Sequence, residues 1–133
     1  MTDLIKSFTY GEDIGEKVAV KFLQEGVVVK AEAADDKVCG VTLFAGSEGA
    51  KGDVLMMGLG QVATSASCVA GDFLAADEDG KVKPIDFDEV QGVVFVVGRC
   101  LETATGSAVL NAVINPQAII APVEEAEEND TNN

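Results

Sequence analysis

Apolar and polar positions alternate from Lys17 onward, the spacing of an extended strand with one buried face. Val18, Val20 and Phe22 fall on one side, Lys17 and Lys21 on the other. Gln24-Glu25-Gly26 reads as a turn, and Val27-Val28-Val29 begins a second strand. Ala34–Lys37 turns the chain again into Val38-Cys39-Gly40-Val41-Thr42-Leu43. A loop from Gly46 to Gly52 precedes a strand at Asp53–Met57, and Gly58-Leu59-Gly60 predicts a turn into the small-residue stretch Gln61–Val69. The clearest unit is Ala70–Pro84. Phe73 and Leu74 open an apolar run, Asp79-Gly80 is a strong hairpin signal, and Val82 resumes the alternation. Pro84–Glu89 is an irregular acidic connection. Val93–Val97, bounded by Gly92 and Gly98, has the continuous apolar run of a strand buried on both faces. Val109–Ile114 is a last strand ending at Asn115-Pro116, with Ala118–Ile120 as a short edge segment.

The pattern predicts an all-β fold, and it echoes itself. Gly40-Val41-Thr42-Leu43-Phe44-Ala45 is matched 58 residues later by Gly98-Arg99-Cys100-Leu101-Glu102-Thr103, each followed by a Gly-containing loop and another strand. Two related β-units packed into a small β-sandwich or a partly open barrel account for this. The expected organisation is an N-terminal arm at 1–16, a β-rich domain at 17–121 and a disordered acidic tail at 122–133. Leu4, Ile5, Phe8 and Tyr10 make the arm apolar, which marks them as candidate contacts with a partner or a neighbouring copy.

Charge narrows the choice of partner. The 133 residues carry 23 acidic and 9 basic side chains, a net −14, and Arg99 is the single arginine. Phosphate backbones are bound through Lys and Arg, so nucleic acid and anionic membranes are expected to repel this chain. The tail holds five of the acids, which leaves the body acidic as well. No apolar run approaches the ~18 residues of a membrane helix. Met1-Thr2-Asp3-Leu4 has neither the basic nor the apolar region of a signal peptide, so synthesis in the cytoplasm is expected.

Candidate chemistry is thin. The chain has no His, which removes the usual general base near neutral pH and any Ser-His or Cys-His pair. Cys39, Cys68 and Cys100 lie far apart among small and apolar residues and read as buried free thiols, not as a metal site. Asp77-Glu78-Asp79-Gly80 carries carboxylates, but its Gly and its next acids miss the calcium-loop frame, and Asp is favoured in turns for its local hydrogen bonds. Gly58-Leu59-Gly60-Gln61-Val62-Ala63 matches a relaxed dinucleotide fingerprint yet is followed by poor helix formers. Gly46–Gly52 lacks the Lys-Ser/Thr ending of a phosphate loop. Lys37 and Lys81 sit at turns without the flanks of a swinging-arm carrier. No enzyme, no cofactor and no metal are expected.

Over roughly residues 15–115 the order of these signals resembles the head decoration, or capsid cement, proteins of tailed bacteriophages. The resemblance rests on the step Val38-Cys39-Gly40-Val41-Thr42, on Ala70-Gly71-Asp72-Phe73-Leu74, on the Asp79-Gly80-Lys81-Val82 hairpin and on the late Gly98-Arg99-Cys100-Leu101-Glu102. The acidic, Asn-rich tail departs from that pattern. The resemblance implies a β-rich, non-catalytic virion protein on the outer surface of the capsid. Its partners would be the major capsid protein and itself, commonly as a homotrimer. The charge also raises another class, an acidic β-sandwich chaperone of basic proteins in the manner of nucleoplasmin. Its five-acid tail is short for that work.

Overall fold

A computed structural model describes residues 3–89 and 92–121; the expected acidic tail lies outside the described residues. The described residues form nine strands: β1 (Leu4–Tyr10), β2 (Ala19–Gln24), β3 (Val27–Lys30), β4 (Val38–Thr42), β5 (Lys51–Ala63), β6 (Phe73–Ala76), β7 (Val82–Pro84), β8 (Gly92–Cys100) and β9 (Val109–Ala121). A single 3-10 turn, Glu78–Gly80, is the only helical element among the described residues.

The first five strands close on themselves. β1 runs parallel to β3, β3 pairs with β2, β2 with β4 and β4 with β5, and β5 returns antiparallel to β1. Closure leaves this barrel no free edge. Phe8, Tyr10, Ile14, Val18, Val20, Val28 and Val54 fill its interior. The second unit reuses the end of β5, then orders β9, β8, β6 and β7, and a single parallel bridge from Thr64 to Val82 brings it back to the chain leaving β5. Leu74, Val82, Leu110 and Ile114 fill this unit, joined by Ala19, Val41 and Leu55 from the outer face of the first barrel. Consecutive residues of β5 therefore serve two cores: Val54 points into the barrel and Leu55 into the second unit.

The echo in the sequence is a repeat of pairing, register for register. A shift of 54 carries the β2–β3 pairs Val20–Lys30 and Phe22–Val28 onto the β6–β7 pairs Leu74–Pro84 and Ala76–Val82. A shift of 58 carries Gly40 of β4 onto Gly98 of β8, and the partners Val20 and Leu74 follow at 54. The bulge between Val20 and Lys21 recurs between Leu74 and Ala75. Even the isolated bridge Ile14–Gly46 recurs as Cys68–Ala104, and the parallel pair Tyr10–Val28 as Thr64–Val82. The two units are one design written twice, sharing a strand.

Three expectations need correcting. Leu4–Tyr10 is not an arm: it is β1, hydrogen-bonded on both sides, because Phe8 and Tyr10 alternate into the barrel and fill it. Gly58-Leu59-Gly60 is not a turn either. β5 runs straight through it, and the glycines instead let the strand pass from one unit to the next. Gly58 sits at φ 137, where a Cβ would strike the Asp3 carboxylate, and a Cβ on Gly60 would lie 2.5 Å from Leu55 Cδ2. Pro116 does not end β9. Val96 pairs with Gln117 and Gly98 with Ile114, so Asn115 and Pro116 together oppose Val97. Pro116 occupies a bulge, where its missing N–H costs no ladder bond, and Ala118–Ile120 continue the same strand.

Candidate functional site

The register of β1 shifts between Leu4 and Ile5, and the four residues expected to touch a partner divide by their position along the strand. Phe8 and Tyr10 are interior; the Phe8 ring stacks edge-on against Phe22 at 5.1 Å, and the Tyr10 hydroxyl donates to the Phe44 carbonyl at 2.7 Å. Burial first, and then the charge of Asp53, raise the Tyr10 phenol above its ordinary pKa. Neither residue is available to a partner. Leu4 and Ile5, at the start of the strand, remain exposed.

Leu4 pairs with Met57, and both are about half exposed. From there an apolar row crosses the second sheet. Leu59 on β5 pairs with Val113 on β9, Val113 with Arg99 on β8, and Arg99 with Phe73 on β6. Partners across a sheet lie on one face, so these residues form a single outward row, with exposed Leu101 just past the end of β8. Arg99 is fixed within it. Its guanidinium carbon lies 4.8 Å from the Phe73 ring centroid, and Nε donates to the Gly71 carbonyl at 3.2 Å. Gly71 itself takes φ 97, a backbone conformation that favours glycine. No carboxylate among the described residues pairs with Arg99, which is exposed on this face. A guanidinium held this way suits bidentate capture of a carboxylate.

Leu59, Phe73, Arg99 and Leu101 are absent from the sequence-based candidates. The signal was present but mixed: Ala112, Val113 and Ile114 are apolar on both parities, which describes a strand buried on one face and apolar on the other. A lone Arg in an apolar stretch was the second clue.

The other sequence candidates take structural roles. Asp77 accepts the Ser65 hydroxyl at 2.7 Å, and that bond chiefly holds its carboxyl below the usual range. Lys81 N donates to Glu78 O at 3.2 Å, closing a turn whose central residues Asp79 (φ 59) and Gly80 (φ 75) both have the positive φ of a type I′ hairpin. Gly58–Ala63, the dinucleotide decoy, lies within β5 with no helix after it. Cys68 and Cys100 are buried and Cys39 is partly so; burial pushes the Cys39 and Cys68 thiols up to about 11.

No protein-family model matches the sequence, and no curated protein sequence matches it. The fold is shared with a solved structure. The crystal structure of the N base of head fiber gp8.5 in bacteriophage phi29 aligns with a TM-score of 0.64, covering 86% of this chain and 95% of that chain at 18% sequence identity. At that identity the likeness is one of fold, and it extends over both units.

Proposed function

We propose that this chain is a structural protein of a phage head, which binds the outer surface of the assembled capsid and stabilises the shell. The observation that carries this reading is the fold it shares, over nearly the whole of both chains, with the base of a phage head fiber. The residues that carry the resemblance to decoration proteins lie at Gly40 on β4, at Asp79-Gly80 between β6 and β7, and at Gly98 on β8. The partners are the assembled major capsid protein and further copies of this chain. A net charge of −14 suits an exterior position and disfavours contact with packaged DNA.

Stabilisation then needs no chemistry. A protein that binds assembled shells and not free subunits shifts the assembly equilibrium by mass action, by about 2.7 kcal/mol per site at a hundredfold excess over Kd. Shell contact through the start of β1 falls to Leu4 and Ile5, since Phe8 and Tyr10 are interior.

Co-sedimentation of the full chain with empty shells of its cognate capsid protein tests the proposal. Retention on shells, with a higher temperature of shell disruption, is the expected result. Free protein left in the supernatant at all concentrations overturns it, and salt-sensitive binding to histones without shell retention favours the chaperone class. The double substitution L4S/I5S, which leaves the barrel interior intact, is expected to weaken retention several-fold.

A further inference from the structure

We infer that copies of this chain join head to tail, the β2–β3 tip of one seating on the outer face of the second unit of the next. Inside the molecule the same kind of contact already exists between the two units. The β6–β7 tip of the second unit presses on the first: Gly80 N donates to the Ala31 carbonyl at 2.8 Å and Asp79 N to the Glu32 carboxylate at 3.0 Å. The approach is so close that a Cβ on Gly80 would lie 2.9 Å from the Ala19 carbonyl. The outer face of the first unit, Ala19, Val41 and Leu55, is buried in the shared core, none of it more than 2% exposed.

The repeat supplies a second copy of each half, and both stand open. The shift of 54 that relates Val28 to Val82 relates the tip Asp79-Gly80 to Glu25-Gly26. Gly26 repeats the positive φ of Gly80, 79 against 75, although Glu25 lacks the positive φ of Asp79, and a Cβ on Gly26 would meet nothing within 4 Å. The face equivalent to Ala19, Val41 and Leu55 is Phe73, Arg99 and Val113, which no described element covers. The first unit therefore presents an undocked tip and the second an uncovered face; within the chain the equivalent face is covered by the β6–β7 tip at Ala19 together with core residues of the second unit such as Leu74, Val82 and Ile114. Joined between copies, the open tip and the open face form a heterologous interface, which closes into a ring if the rotation allows and otherwise runs on as a fibre.

Charge agrees with the pairing. Inside the molecule the tip acid Asp79 lies 3.7 Å from Lys30. By register Pro84 stands where Lys30 does, so the internal ion pair is not repeated as such. Between copies the tip acid is Glu25, and the cation on the receiving face is the exposed Arg99, which forms no ion pair among the described residues. The contact is related to the internal one but not identical, because Phe73 and Arg99 replace the small Ala19 and Val41. The larger side chains offer the separate chain an apolar and hydrogen-bonding surface, where the internal contact is tethered by the shared strand β5.

This inference deepens the proposed role and rests on it for its purpose, since several linked copies engage a shell more tightly than one. Light-scattering mass of the full chain over a concentration series tests it. The expected mass is a multiple of 13.8 kDa. R99E and E25K should each raise the dissociation constant by roughly tenfold or more, and the double swap R99E/E25K should recover much of that loss. Circular dichroism of each variant checks that the fold is kept, and G26W, at an open and exposed tip, offers a steric block independent of charge. A wild-type chain that stays single at every concentration overturns the inference, as does undiminished association in R99E or a double swap without recovery. A single chain that still sediments with shells refutes the inference alone. An associating chain that ignores shells refutes the capsid role and leaves the head-to-tail contact standing.

Discussion

Gly40 and Gly98 are the two residues that best explain the fold. A Cβ on Gly40 would lie 2.5 Å from the Leu55 carbonyl, and one on Gly98 closer still to the Val113 carbonyl, the equivalent oxygen of the second unit. Each glycine lets a strand cross its neighbour at the conserved bulge position of the repeat, and backbone atoms cannot give way as a side chain can. G98A and G40A are therefore expected to cost about 1–3 kcal/mol each. G26A, strained by its positive φ but unobstructed, should cost about 1 kcal/mol, and G15A, in open space without such a φ, about nothing. Urea denaturation of the four variants checks the order. At the next position of interest the two units use different chemistry for one task. Thr42 Oγ1 donates to the Gly15 carbonyl at 2.7 Å, and Cys100 Sγ, in the equivalent place, to the Val69 carbonyl at 3.0 Å. Because the thiolate is the reactive form and burial raises the Cys39 and Cys68 thiols to about 11, alkylation of the folded protein at pH 8 should be far slower than in urea. Mass spectrometry of a timed labelling reads this directly.

Among elements, β1 and β5 carry most of the organisation. β1 joins β5 to β3 and so closes the first barrel. Removing residues 1–11 opens two hydrogen-bonded edges and empties the positions of Phe8 and Tyr10, and the shortened chain is expected to lose its cooperative thermal transition. A milder variant separates packing from closure. Y10F keeps the ring and removes only the bond to the Phe44 carbonyl, with an expected loss of about 1 kcal/mol in calorimetry. β5 binds β1 and β4 with its first half and β9 with its second, so it belongs to both units at once.

At the scale of the whole molecule, a shared strand and a shared core leave the units no independent stability. V41A in the first unit and L74A in the second should lower one and the same unfolding transition, seen as coincident curves by circular dichroism and Tyr fluorescence. Acid should weaken the fold through Asp36 and Asp77. Burial acts to raise the Asp36 carboxyl, but the N–H groups of Glu32 and Ala33 and the Lys21 ammonium at 3.1 Å outweigh it; the Ser65 bond lowers Asp77. Both groups have a lower pKa folded than unfolded. Their stabilisation is complete above the ordinary value of 3.8 and is lost as pH falls below it through the folded values. D36N should sit below wild type in Tm near neutrality and converge on it in acid.

Local physics was enough to read much of this fold from the chain. Alternation marked β2, continuous apolar runs marked β3 and β8, the Asp79-Gly80 signal marked the β6–β7 hairpin, and the Gly40–Gly98 echo exposed the repeat, because each depends on neighbours in sequence. The positive φ of Asp79 and Gly80 is such a local requirement. Other features depend on what lies across the sheet. Leu4–Tyr10 reads as an arm until β5 and β3 flank it, Gly58-Leu59-Gly60 as a turn until one strand must serve two units, and Asn115-Pro116 as a stop until a bulge removes the need for an N–H. The same holds for the candidate face. Ala19, Val41 and Leu55 are equivalent by register to Phe73, Arg99 and Val113, and no local pattern tells which set is covered. Burial is a property of what packs on a surface, and only the tertiary structure shows that the first face is closed and the second left open.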